Sequence, residues 1–215
     1  MQAKQRGFTL VEIAIVLVII GLLLGGILKG QEMITQAKIK NVVADFSGVS
    51  AAYYGYQDRY RAIPGDDPNA QSRWTTAPAA VNGTGDGIVG GTYKTTDDAQ
   101  ESRKWWDHLR RAGFVSGSGY NQPFNAVAGI IGIQTGIPGT PITAAMGGIT
   151  SLMVCSTNLP DKIAIAVDTQ MDDGAPNKGQ VRGDVQSGPN PDLDNTVPSA
   201  YEETGTNTYV ICRAM

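Results

Sequence analysis

The sequence predicts an α+β chain: one long N-terminal helix packed on a head built around an antiparallel β-sheet. Three observations carry this. Between Phe8 and Leu28 only Thr9 and Glu12 are polar side chains. Ile39, Val43, Phe46, Val49, Tyr53, Tyr56 and Tyr60 then recur at steps of three and four, the period of one helix face. Farther on, short runs rich in Val, Ile and Thr alternate with stretches rich in Gly, Pro and Asn, the pattern of strands and turns.

The apolar run from Phe8 to Leu28 corresponds to about 31 Å of helix at ~1.5 Å per residue, enough to cross a bilayer's hydrocarbon core. Lys4 and Arg6 stand just before it, and basic flanks hold that end in the cytoplasm. Gly21 and Gly25, and again Gly26 and Gly30, lie four apart. That spacing lets helices approach closely in lipid, although glycine is also simply common in membrane helices. The helix is expected to continue to about Tyr60 and to stop at Ile63-Pro64-Gly65, since proline and glycine end helices.

Residues 64–98 read as loop. Ala99 to Ala112 reads as a short helix with Trp105, Trp106 and Leu109 inward, Arg110 and Arg111 suiting its C-terminal dipole, and Gly113 as its C-cap. Strands are predicted at Ile130–Ile133, Ser151–Ser156, Ile163–Asp168 and Tyr209–Arg213. The rest of 169–208 reads as one long loop.

With 215 residues, 41% of them hydrophobic, the chain can build one soluble domain outside the apolar run. A net charge of −3 gives no bulk electrostatic case for nucleic acid. Arg103, Lys104, Arg110 and Arg111 flank Trp105 and Trp106; aromatics beside charges on one helix are more often its core and solvent faces than a nucleic-acid contact. Nothing points to an enzyme. The single histidine, His108, has no Ser or Cys at a motif spacing, Ser72 and the other serines lack a nucleophile-elbow context, and Gly83-Thr84-Gly85-Asp86-Gly87 lacks the Lys-Ser/Thr of a phosphate loop.

Glu12 is the anomaly. A carboxylate inside a membrane span costs about 2.5–3.5 kcal/mol on insertion scales and marks a functional site by default. A conventional secretory signal would need a small-residue cleavage site after the run, and Leu23-Leu24-Gly25 makes a poor one. A plain signal anchor leaves Glu12 unexplained. Gly7-Phe8-Thr9-Leu10-Val11-Glu12 after a short basic leader resembles the class III signal sequences of type IV prepilins and of type II secretion pseudopilins.

The resemblance implies a pilin-like layout: leader 1–7, transmembrane and filament-core helix 8–30, amphipathic half 31–62 and head 63–215. It implies that a prepilin peptidase cuts between Gly7 and Phe8 and N-methylates Phe8. Glu12 could then neutralise the α-amino group of Phe8 on a neighbouring subunit, with Thr9, Gly21 and Gly25 in the same assembly segment. The subunit would sit in the inner membrane, single-pass with its N-terminus cytoplasmic, and then enter a helical filament in the periplasm or at the cell surface. Its partners would be its own copies and a pilus or secretion assembly platform. Three roles stay open: a structural subunit of a type IV pilus or pilin-like filament, a type II secretion pseudopilin, or a minor pilin whose head binds DNA or a surface. Pilins often carry a proline in the helix near residue 29, and here Lys29 stands in that region.

Outside the cytoplasm Cys155 and Cys212 read naturally as a disulfide, the alternative being two free thiols. The acidic positions Asp168, Asp172 and Asp173, and likewise Asp66, Asp67 and Asp86, invite Ca²⁺ in such a compartment. The spacing of the first group does not fit an EF-hand loop, and turn-forming Asp bonding its own backbone is the commoner explanation. No other cofactor is expected.

Overall fold

The computed structural model describes residues 9–139 and 141–215. The leader, Gly7 and Phe8 lie outside the described residues. Helix α1 runs Leu10–Tyr60, followed by a single turn α2 at Ala70–Arg73 and helix α3 at Glu101–Arg111. Strand β1 (Ile131–Thr135), strand β2 (Leu152–Pro160), helix α4 (Asp161–Met171), strand β3 (Val181–Val185) and strand β4 (Thr208–Ala214) complete the chain. A long N-terminal helix with a four-stranded antiparallel sheet is a pilin-like α+β architecture. Contacts divide the chain into two units, Met1–Ala37 and Lys38–Met215.

In the first unit the large apolar side chains from Leu10 to Leu28 are all exposed. Among the described residues this is the one helix long and apolar enough to cross a membrane. It has no proline to break its hydrogen-bond ladder.

The second unit is organised on the sheet, whose order is β1-β2-β4-β3. Side chains alternate across it, as the period of two demands. Val154 of β2 and Tyr209 and Ile211 of β4 face one core with Ile39, Phe46, Tyr56, Trp105, Trp106 and Ile163. Met153, Cys155, Val210 and Cys212 face a second core with Tyr93, Met146, Ile149 and Leu193. Cys155 lies directly opposite Cys212 in the β2–β4 register, and the two are joined by a disulfide across a Cα separation of 4.0 Å.

The buried line on α1 is Ile39, Val42, Phe46, Val49, Ala52 and Tyr56, with Val43, Tyr53 and Tyr60 half-buried beside it. The helix ends where Arg61 adopts a φ of 55°, a left-handed residue that closes a helix as glycine more often does.

Two sequence expectations fail. Ile163–Asp168 is not a strand but the middle of α4. Its buried residues Ile163, Ala164, Val167 and Asp168 follow a helical step, and Pro160-Asp161 opens it with an N-cap proline and an acidic first turn. Tertiary packing overrides the β preference of Ile and Val. The stretch 169–208 is not all loop, because Val181–Val185 forms β3 along the outer side of β4. The last strand is thus inserted between β2 and β3, and β2 and β3 do not pair.

Candidate assembly site

Thr9 immediately precedes the first helical residue, Leu10, and Glu12 stands three residues on. Glu12 Oε2 accepts the Thr9 backbone N–H at 2.7 Å and its hydroxyl at 2.8 Å. The Glu12 N–H in turn donates to Thr9 Oγ1 at 3.3 Å. This is a capping box: two backbone donors left orphaned at a helix start are satisfied reciprocally. Both bonds to the Glu12 carboxylate fall on Oε2, and Oε1 takes no donor among the described residues. One oxygen thus fixes the side chain at the helix start while the other stays open to a partner.

Behind this cap the helix surface is apolar on every side, with Leu10 86% and Leu22 73% exposed. A surface of that kind requires lipid or other helices around it. A Cβ added at Gly21 or Gly25 would meet nothing within 4 Å, so neither glycine serves packing inside its own unit. Lys29 and Glu32 pair at 2.8 Å beyond the apolar run. Gly7 and Phe8, the expected processing residues, fall outside the described residues.

The acidic positions of the head are held by their own chain. Asp168 is buried and accepts the Tyr201 hydroxyl at 2.6 Å and the Gly174 N–H at 3.2 Å; burial pushes its carboxyl up. Asp172 accepts the N–H groups of Gln180 and Val181, and Asp173 that of Ala175. Each carboxylate thus serves a different backbone segment.

The carboxylate oxygens of Asp66, Asp86 and Glu101 lie within 4.8 Å of one another. Here too backbone N–H groups point at the acids. Asp66 accepts from Gly85 and Gly87 and from the Thr84 hydroxyl, while Glu101 accepts from Thr84 and Gly90. The glycine-rich loop therefore folds around two internal carboxylates. A Cβ on Gly83 would come within 2.3 Å of the Asp66 backbone, so only glycine fits there.

His108, fully buried, belongs to the same scaffold. Its Nδ1 accepts the Gly65 N–H at 2.9 Å, and Nε2 lies 2.9 Å from the Val81 carbonyl. A ring that accepts at one nitrogen and donates from the other is neutral. Burial pushes its pKa down to about 4, against the pull of the Val81 carbonyl and Asp107. Tyr56 of α1 donates to Asp67 at 2.6 Å, and Arg73 pairs with Asp67. These buried contacts fasten α1 and α3 to residues 64–90, and no short-range sequence signal announces them.

The cations of α3 are likewise engaged within the chain. Arg103 bonds Asp98 and Asn121, Arg111 bonds Asp107 and the Pro78 carbonyl, and Arg110 bonds the carbonyls of Ser116 and Gly119. Trp105 and Trp106 are fully buried.

Comparison with known proteins concerns the assembly segment alone. Residues 2–28 match the family model of the prokaryotic N-terminal methylation motif. No curated protein and no solved structure matches the chain. Residues 2–28 are therefore a type IV prepilin-like class III signal segment, carried by a chain whose long helix and antiparallel sheet have a pilin-like architecture.

Proposed function

We propose that the chain is a structural subunit of a type IV pilus or pilin-like filament, acting by assembly and not by catalysis. The observation that carries this is an apolar helix segment, exposed from Leu10 to Leu28 and headed by the Thr9–Glu12 box within the methylation motif. A prepilin peptidase cuts between Gly7 and Phe8, methylates the new amine and leaves the helix anchored in the inner membrane. On extraction into the filament the apolar helices bury one another. The open oxygen of Glu12 then meets the amine of Phe8 on a neighbouring subunit. Either charge alone is costly in that interior, and pairing offsets the cost. Glycines 21 and 25 give the neighbouring backbones room to approach.

The uninterrupted, proline-free helix supports a second reading, a type II secretion pseudopilin with the same processing and the same helix packing. Deletion of the chain's gene separates the two. Loss of filaments from the sheared surface fraction, with exoprotein secretion intact, supports the pilus subunit. Loss of secretion with surface filaments retained supports the pseudopilin and overturns the first reading.

A further inference from the structure

A groove of about 490 Å³ opens at the end of the sheet where the β2 bulge, the turn at residues 124–130 and the loop following β3 meet. None of the described residues lining it is charged. Its wall carries Phe124, which is 73% exposed and leaves a face of its ring free.

The groove is built in advance by side-chain amides. Asn125, buried, accepts the N–H groups of Val127 and Gly129 on Oδ1 and donates from Nδ2 to Ser156 Oγ and the Thr157 carbonyl. Thr157 donates its hydroxyl to Asn190 Oδ1 at 2.8 Å, tying in the loop after β3. Asn158 donates from Nδ2 to the Val127 carbonyl, and its backbone N–H is taken by Gln186. Among the described residues, three of the five non-glycine residues with positive φ line this one groove: Ala128 at 61°, Asn158 at 59° and Asn190 at 48°. Left-handed backbone is disfavoured for an alanine and persists where surrounding structure enforces it, often at ligand sites.

Among the described residues, several polar groups at the groove make no hydrogen bond: Asn190 Nδ2, Asn158 Oδ1 and the hydroxyls of Ser187 and Thr208. Donors and acceptors are mixed, no charge is present, and one aromatic face is free. We propose that this groove binds a neutral saccharide, with a sugar ring against Phe124 and its hydroxyls on these amide and hydroxyl groups. An anionic ligand finds no cation here. For a peptide strand, two of the backbone donors are already used, since Gln186 N–H bonds the Thr208 carbonyl and Asn158 N–H bonds Gln186. Pre-organisation lowers the ordering cost of binding, and a few fixed polar groups in a concave site set its specificity. Such a site is independent of filament type, because it needs only the head.

The test uses the isotope-labelled full chain in detergent micelles, titrated separately with chitotriose, maltotriose, a heparin hexasaccharide and trialanine. Either neutral trisaccharide should shift the amide signals of Ala128, Ser187 and Asn190. Phe124→Ala removes an exposed ring, and Asn190→Asp keeps the acceptor for Thr157 while removing the free donor. Each should weaken binding about tenfold, the loss of one good contact, with melting temperature unchanged. The proposal is overturned if neither neutral trisaccharide shifts these signals, if both variants bind as the parent does, or if heparin or trialanine binds there more tightly.

Discussion

Acidification should unfasten the head through one residue. His108 is fully buried, accepts the Gly65 N–H on Nδ1 and faces the Val81 carbonyl with Nε2. Protonating Nδ1 puts a second hydrogen where the Gly65 N–H already points, and burial holds the pKa near about 4 against an ordinary 6.5. The unfolded chain takes up its proton near 6.5 and the folded chain only near 4, so the unfolded state binds more protons between those values. Stability therefore falls as pH drops through that window. The linkage relation gives a loss of about 2 kcal/mol between pH 7 and 5, rising to about 3 kcal/mol at pH 4. Asp168, whose carboxyl is raised by burial, works in the opposite sense, gaining relative stability as pH falls through its folded value. The His108 contribution is isolated by difference with His108→Gln, whose amide can accept from Gly65 and donate to Val81 but does not titrate. Urea unfolding of the detergent-solubilised chain, followed by Trp105 and Trp106 fluorescence at pH 7, 6 and 5, reads both proteins. The parent should lose about 2 kcal/mol more than the variant between pH 7 and 5. Parallel pH profiles would refute the neutral, buried histidine.

Two further perturbations probe the head. Replacing Cys155 and Cys212 together by alanine opens a loop spanning 57 residues and should cost up to about 4 kcal/mol in the same unfolding assay. A loss below about 1 kcal/mol would show that the bridge does not restrain the unfolded chain. Asp66→Ala orphans the N–H donors of Gly85 and Gly87 and should cost about 3 kcal/mol or more. Limited proteolysis should then cut within residues 82–90, whereas unchanged resistance would remove Asp66 from the centre of that loop.

How much was legible in the sequence depended on how local the cause was. The apolar run and the three-and-four stripe to Tyr60 are local patterns, and the helix follows them. Strands β1, β2 and β4 overlap the predicted runs Ile130–Ile133, Ser151–Ser156 and Tyr209–Arg213. Ile163-Ala164-Ile165-Ala166-Val167 alternates apolar residues of two sizes and reads as a strand on propensity, yet the helix-opening pair Pro160-Asp161 was present beside it. Strand β3 carries Arg182 and Asp184 between its valines and exists because β4 offers it an edge, a fact of topology that no local window contains. The capping box shows a different lapse. Thr9 and Glu12 have the required spacing, but a carboxylate in an apolar run points to a partner in another subunit, whereas its partner within the chain stands three residues earlier. The loop around Asp66 was the least legible, since its partners stand 18 to 21 residues away.

Glu12→Gln offers the most direct test of assembly through a charged helix start. Glutamine occupies the same capping-box position and can still accept the Thr9 N–H, so helix initiation is kept while the charge is removed. The measurement is filament recovery in the sheared surface fraction, with mass analysis of the membrane-held subunit to establish that cleavage between Gly7 and Phe8 has occurred. The expected result is a cleaved, methylated subunit retained in the membrane with filament yield reduced at least ~tenfold, as loss of one charge pair predicts. Filaments at the parental yield from cleaved Glu12→Gln subunits would contradict the pairing of Glu12 with a neighbour's amine.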